Sequence, residues 1–318
     1  MVDNIILEVQ DLKKYFNTAK GMLHAVDGVS FKVRQGETMG LVGESGCGKS
    51  TTGRCILKLL ELTSGKIIFN DQDITNYNHR QMRKLRTDMQ MIFQDTFSSL
   101  DPRQTIMQLI SEPIRERRIF KDKKEIEKKT LELMYTVGLA SRLINSYPHE
   151  LDGGRRQRIG VARALSVNPK LIICDEPVSS LDVSIQAQIL NLLKKLQNDM
   201  GLTYIFITHD LSVVKYFSND ISVMYLGQMV EKASSDELFA YPMHPYTKAL
   251  LASIPIPIVG NEKQERVLIK GEIISPVDLP DSCRFYNRCD FGEERCLMGN
   301  PQLREVRPNH FVACICVE

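Results

Sequence analysis

The segment Gly43-Glu44-Ser45-Gly46-Cys47-Gly48-Lys49-Ser50-Thr51 follows a short apolar run at residues 38–42 and leads into a helical stretch. It fits G-x-x-x-x-G-K-S/T in the strand–turn–helix setting that this pattern requires. Its glycines let backbone N–H groups turn inward around a phosphate, and the helix start adds partial positive charge. Lys49 is expected to reach the β- and γ-phosphates of a bound nucleotide, and the Ser50 hydroxyl to ligate Mg2+. A chain with this element must build a strand, a tight loop and a helix in sequence, which commits it to an α/β architecture.

Two further elements point to the same place. Leu171-Ile172-Ile173-Cys174-Asp175-Glu176-Pro177 is a buried strand that delivers two carboxylates at its C-terminal end, where ligands bind in open α/β sheets. Asp175 suits the Mg2+ shell, and Glu176 suits a general base that polarises the attacking water. Taken alone they read equally well as exposed turn carboxylates; the phosphate loop tips the balance. Thr203-Tyr204-Ile205-Phe206-Ile207-Thr208 is an apolar strand ending at His209-Asp210. A lone histidine is more often structural, but at a strand's carboxyl edge His209 is placed to contact a γ-phosphate and hold the water.

Around these motifs, residues 5–9, 29–33, 38–42, 66–70, 171–174 and 203–207 read as strands, the second alternating as a half-exposed antiparallel strand does. Helices are expected at 49–60, through much of 95–164, and at 184–200. In the last, Ile185, Ile189, Leu192, Leu193 and Leu196 form one core-facing stripe. The charged run at 115–129 reads as a solvated face. Composition changes near Ser235, giving way to a stretch punctuated by Pro242, Pro245, Pro255 and Pro257 and then to a cysteine-rich tail.

Bulk properties exclude several classes. With 41 basic against 39 acidic residues in 318, the net charge of +2 does not suit a nucleic-acid partner. No stretch approaches the roughly 18 apolar residues of a membrane span, the best candidate at 249–259 being short and broken by prolines. The first residues lack the pattern of a signal peptide, which places the expected location in the cytoplasm, where disulfides are rare. Of eight cysteines, Cys47, Cys55 and Cys174 are scattered; Cys283, Cys289, Cys296, Cys314 and Cys316 crowd the end, suggesting metal before disulfide. Cys47 and Cys174 read as a small filler and a core residue.

With Leu151-Asp152-Gly153-Gly154-Arg155-Arg156-Gln157-Arg158 added, the chain resembles the ABC ATPase family, whose signature is Leu-Ser-Gly-Gly-Gln. The motifs stand in family order: phosphate loop at 43–51, Gln94, signature at 151–155, carboxylate strand at 171–176, Ser179-Ser180-Leu181-Asp182, and His209. The resemblance implies a RecA-like P-loop NTPase fold with an N-terminal antiparallel β subdomain and a helical subdomain at about 95–164. The ATPase domain would span 4–255, and a small cysteine-rich extension 256–318. It implies a dimer with two ATP molecules sandwiched head to tail, each between one chain's phosphate loop (Gly43 to Thr51) and the other's signature (here Asp152, Gly153 and Gly154). A glycine-led helix N-terminus makes sense as that second anion site. Gln94 would sense Mg2+ and the membrane subunit. Phe16, or its neighbour Tyr15, would stack on adenine; the alternative for Phe16 is a core aromatic.

Asp152 and Arg155 depart from the signature's serine and glutamine. A serine hydroxyl donates to a γ-phosphate oxygen, whereas a carboxylate brings like charge near ATP, which Arg155 or Arg156 would only partly neutralise. The site using this signature is therefore expected to hydrolyse poorly, and the site using Lys49, Glu176 and His209 to hydrolyse well. That asymmetry suits a heterodimer.

Phe93-Gln94-Asp95-Thr96-Phe97-Ser98-Ser99-Leu100-Asp101-Pro102-Arg103 and His244-Pro245-Tyr246-Thr247-Lys248-Ala249-Leu250-Leu251 resemble the ATPases of oligopeptide and dipeptide importers. The resemblance implies a second ATPase subunit, two transmembrane permease subunits, an extracellular substrate-binding protein, and a peripheral location on the cytoplasmic face of the membrane. An importer of nickel or another small solute is the alternative. The tail, Cys283-x5-Cys289-x6-Cys296-x17-Cys314, resembles the cysteine extension of these importers, for which a 4Fe–4S cluster is implied. The chemistry alone leaves an iron–sulfur cluster, Zn2+ and free thiols open. Cys316 is either a spare thiol or a substitute for Cys314. Two rivals fare worse. A soluble ABC ATPase of translation or DNA repair would usually fuse two cassettes or carry a coiled-coil insertion. A P-loop kinase or GTPase lacks the signature and the switch histidine in series.

Overall fold

A computed structural model of the chain describes residues 4–95, 99–254, 271 and 275–317. Thr96, Phe97, Ser98, Pro255 and Pro257 lie outside the described residues. In chain order the elements are β1 (Ile5–Thr18), β2 (Gly21–Arg34), β3 (Thr38–Val42), α1 (Lys49–Ile56), β4 (Ser64–Phe69), β5 (Gln72–Asp73), α2 (His79–Leu85) and β6 (Met89–Ile92). There follow α3 (Ile106–Glu116), α4 (Lys123–Thr136), α5 (Gly153–Leu165), β7 (Leu171–Asp175), α6 (Val183–Met200) and β8 (Thr203–Thr208). The remainder is α7 (Leu211–Phe217), β9 (Asp220–Tyr225), β10 (Gln228–Ser234), α8 (Ser235–Ala240), α9 (Pro245–Ala252), β11 (Arg304–Arg307) and β12 (His310–Val312). The chain divides into two compact units, one of residues 1–76 with 206–318, the other of residues 77–205.

In the first unit β2, β1, β4 and β5 form an antiparallel sheet in that order. β1 and β2 are a long hairpin, paired from Ile5↔Arg34 to Thr18↔Gly21, and both exceed the strands expected at 5–9 and 29–33. The reason is a break in register between Val9 and Leu12, where Asp11 takes a positive φ of 44°. A bulge shifts every later side chain to the other face, so the alternation that marks a strand is lost from the sequence there. Beyond it, β2 keeps the expected pattern, with Val29, Phe31 and Val33 buried and Ser30 and Lys32 exposed. The second sheet of this unit pairs β3 parallel with β9, from Met39↔Asp220 to Val42↔Val223. β10 then runs antiparallel to β9, β12 antiparallel to β10, and β11 antiparallel to β12. α1 stops at Ile56, short of the expected residue 60, because Lys58 adopts a left-handed φ of 50°.

The tail is more deeply built in than its sequence suggested. It sets Phe285 against Tyr225 and Tyr246, with ring centroids 5.3 and 5.4 Å away, and buries Val312 and Ala313. His310 Nε2 lies 2.8 Å from Glu231 Oε1, both side chains being fully buried. Glu231 also accepts from the backbone N–H groups of Met243 and His244 at 2.7 and 3.0 Å. A buried carboxylate needs such partners, and here they come from β12 and from the turn before α9.

In the second unit β6 and β7 pair in parallel, from Met89↔Leu171 to Ile92↔Cys174. The region expected to be helical contains α3, α4 and α5. Thr105 and Gln108 close a capping box on α3, and Ile106, Leu109, Ile110 and Ile114 form its buried face. α4 buries Ile126, Leu133 and Met134 and leaves its charged side in solvent, as read from the sequence. In α6, Ile189, Leu192, Leu193 and Leu196 are buried while Ile185 is only half-buried, and the helix ends at Gly201 in the left-handed conformation. Among the described residues, no helix is long and apolar enough to cross a membrane.

Candidate nucleotide site

The phosphate loop is fixed by close backbone approaches. Gly43 has φ 151°, and a Cβ there would fall 2.2 Å from the Met224 carbonyl oxygen. Gly48 has φ 105°, and a Cβ would fall 2.1 Å from the Ala25 carbonyl oxygen. Neither position tolerates a side chain, which is the physical content of the glycine pattern. Lys49 starts α1 at 4% exposure, with Nζ donating to the carbonyls of Gly43 (2.7 Å) and Glu44 (2.9 Å). Its ammonium is thus held within the loop by two acceptors that phosphate oxygens can replace. Burial pushes the Cys47 and Cys174 thiols up, so both are inert fillers, as their positions suggested. Ser50 is half-buried on the first turn of α1.

The two candidate aromatics differ. The Tyr15 ring stacks on His24 with centroids 4.3 Å apart, and its hydroxyl donates to the Asp27 carboxylate. Burial alone would raise the Asp27 carboxyl, but hydrogen bonds from Tyr15 and Arg284 outweigh it and hold the group below the usual range. Phe16 is half-buried, with Lys14 Nζ over its ring, 4.7 Å from the centroid. His209 is exposed, directly after β8.

In the second unit, β7 carries Asp175 to its end at 1% exposure. Glu176 follows at φ 47°, an unfavourable conformation for a non-glycine residue. Gln94 Nε2 donates to Glu176 Oε2 at 2.9 Å, a pairing that the sequence did not foretell. Asp152 is the N-cap of α5: its carboxylate accepts from the Arg155 backbone N–H at 2.8 Å and lies 3.4 Å from Arg155 Nε. Arg156 instead donates to the Pro148 carbonyl at 2.8 Å. A Cβ on Gly154 would come within 2.6 Å of Ile185 Cγ2, so a side chain here would force Ile185 to move. Asp182 caps α6 through the Ile185 N–H at 3.0 Å.

Cys283, Cys289, Cys296, Cys314 and Cys316 line one pocket, together with His244, Phe285 and Tyr286. Cys296 Sγ and Cys316 Sγ are 3.8 Å apart. Burial, with neighbouring thiols adding to it, pushes Cys283 up to about 11 and Cys316 up to about 12. Among the described residues, no three His, Cys, Asp or Glu side chains are grouped as the ligands of a single metal ion. Sequence reading missed two residues of this tail that reach the phosphate-loop side of the unit. Arg288 forks onto the Glu44 carboxylate at 2.7 and 3.0 Å, and Arg284 pairs with Asp27.

Comparison with known proteins gives the class first. The family model "ABC transporter" matches residues 26–179, and "Oligopeptide/dipeptide transporter, C-terminal region" matches residues 230–296. A dimeric, post-hydrolysis structure of the ATP-binding cassette MJ0796 bound to ADP and Pi superposes with a TM-score of 0.67 at 28% identity, covering 72% of this chain and 98% of that one. CbiO1 from Clostridium perfringens, part of the ABC transporter complex CbiONQ, gives 0.66 at 29% identity, covering 75% and 92%. The fold is that of an ABC ATPase. Over 97% of its length the chain is 49% identical to the oligopeptide transport ATP-binding protein AppF of Bacillus subtilis (strain 168), covering 96% of that protein. It is 46% identical to OppF of Salmonella typhimurium, covering 99% of this chain and 97% of that one. The chain belongs to the oligopeptide/dipeptide branch of the ABC transporter ATP-binding proteins.

Proposed function

We propose that this chain is the ATP-hydrolysing subunit that powers uptake of oligopeptides or dipeptides, working from the cytoplasmic face of the membrane. The observation that carries this is the near full-length similarity to AppF, which extends through the transporter-specific C-terminal region. In this reading residues 4–255 are the ATPase domain and 256–318 the extension. The partners are a second ATPase subunit, two transmembrane permease subunits and an extracellular substrate-binding protein. Lys49 and the loop from Gly43 to Thr51 grip the β- and γ-phosphates, and Phe16 stacks on the adenine. Ser50, Gln94 and Asp175 would hold Mg2+, which would supply charge neutralisation on the triphosphate. Glu176 takes a proton from water as the water oxygen attacks the γ-phosphorus and the bridging oxygen leaves on ADP; His209 steadies that water. ATP binding favours the closed pair of ATPases and so shifts the permeases between their states.

The two ATP sites of the pair are unequal. Asp152 offers no hydroxyl to a γ-phosphate oxygen, and its carboxylate is already engaged by the Arg155 N–H and guanidinium. The site completed by this signature turns over slowly, and the one built on Lys49 and Glu176 carries the flux. Transport by the assembled complex, measured against a panel of peptides and Ni2+, tests the substrate class. Uptake of peptides is expected, and uptake of nickel alone would overturn it.

Cys283, Cys289, Cys296 and Cys314 would hold a 4Fe–4S cluster in the tail. Support comes from the convergence of these thiols on one pocket. Bound there, the cluster would cross-link the tail segments by iron–thiolate bonds, adding folding free energy. Anaerobic purification should give about four irons and four sulfides per chain. Stoichiometric zinc and no brown absorbance would refute it.

A further inference from the structure

Arg288 directly precedes Cys289, and Arg284 directly follows Cys283. Arg288 has only 5% of its side chain exposed. Its Nη1 and Nη2 donate to Glu44 Oε2 and Oε1 at 2.7 and 3.0 Å, and Nη1 lies 3.4 Å from the Tyr225 hydroxyl. The guanidinium also sits 5.8 Å from the Tyr225 ring centroid. Glu44 is the second residue of the phosphate loop. Its backbone N–H donates to the Tyr246 hydroxyl at 2.9 Å, and its carbonyl accepts from Lys49 Nζ at 2.9 Å. An unbroken chain of contacts therefore runs from the cysteine pocket through Arg288 and Glu44 to the phosphate-binding lysine. On the other side, Arg284 bonds the Leu226 carbonyl and the Asp27 carboxylate, and Asp27 holds the Tyr15 hydroxyl, next to Phe16.

A carboxylate in a phosphate-binding loop is electrostatically awkward, because it repels the ligand the loop must hold. A bidentate guanidinium both cancels that charge and fixes the direction of the loop. From this geometry we infer that Arg288 is a positioning residue for nucleotide: the tail tunes the affinity of the phosphate loop by clamping and neutralising Glu44. The inference rests on the reading of residues 43–51 as the ATP site. It makes the cysteine-bearing tail a component of nucleotide binding rather than an appendage, so that whatever disorders the tail loosens the grip on ATP.

The test is binding of Mg·ATP and of adenosine to the purified full-length chain by calorimetry. Arg288→Met is expected to weaken Mg·ATP binding about tenfold, the worth of a hydrogen-bonded charge pair. Adenosine binding, which does not use the phosphate loop, should be unchanged. Arg288→Lys keeps the charge without the fork and should recover part of the loss. A merely structural role would lower the melting temperature and weaken both ligands together, and that result would overturn the inference. So would a folded Arg288→Met chain whose ATP affinity stays within about twofold of wild type. If Arg288→Met does not fold, Arg288→Lys decides: weakened ATP with unchanged adenosine supports the clamp, and unchanged ATP refutes it. Lys49→Ala separates the two levels. Should it too bind ATP normally, the assignment of the ATP site is at fault and not the clamp alone.

Discussion

Glu176→Gln is expected to lower ATP turnover of the assembled transporter by about 10²- to 10⁴-fold while nucleotide still binds. The substitution keeps the shape of the side chain and removes only its capacity to accept a proton. Glu176 sits directly after β7 with φ 47°, an uncommon conformation for a residue with a side chain. Gln94 holds that carboxylate at 2.9 Å, and a glutamine at 176 can keep the contact by presenting its amide oxygen. The expected signature is therefore a fall in kcat with little change in KM. If the site completed by Asp152 is slow, as proposed, no second strong site would remain to mask the loss. Turnover near wild type would mean that the general base lies elsewhere.

Lys49→Ala is expected to weaken Mg·ATP binding to the chain about 100-fold or more, the worth of a buried charge-assisted contact with a polyphosphate. Lys49 Nζ is buried and donates to the carbonyls of Gly43 and Glu44, which fixes its charge inside the loop. Removing it also takes one donor from each of those carbonyls, Glu44's keeping the Cys47 N–H at 3.3 Å, so a modest loss of stability should accompany the loss of binding. Calorimetric titration measures the first and thermal melting the second. Retained affinity would contradict the assigned role of the loop.

Much of this was legible in the sequence because the phosphate loop, the carboxylate strand and the strand before His209 are short local patterns. Residues 38–42, 171–175 and 203–208 are apolar runs whose meaning does not depend on distant partners, and β3, β7 and β8 form where they stand. The hairpin of β1 and β2 was only half legible, since the bulge at Asp11 hides the alternation. The short strand Met89–Ile92 mixes Gln90 into an apolar run and gives no clear period. Least legible was the tail. Its docking depends on His310 meeting Glu231, 79 residues away, and on Arg288 meeting Glu44, 244 residues away. Pairings at such separation leave no trace in local composition, and a cysteine-rich stretch with few apolar residues reads as an independent appendage. The capping role of Asp152 was similarly hidden, although an aspartate ahead of a glycine-led helix is a recognised N-cap pattern.

The most direct measurement is ATP-driven uptake of a labelled oligopeptide into proteoliposomes that contain this chain, its partner ATPase and the permease subunits, with the binding protein supplied outside. Wild-type assemblies should accumulate peptide only when ATP is enclosed with the ATPases, and Glu176→Gln assemblies should accumulate almost none. Undiminished accumulation by the Glu176→Gln assembly, or equal accumulation without ATP, would contradict the assignment of this chain as the subunit whose hydrolysis drives import.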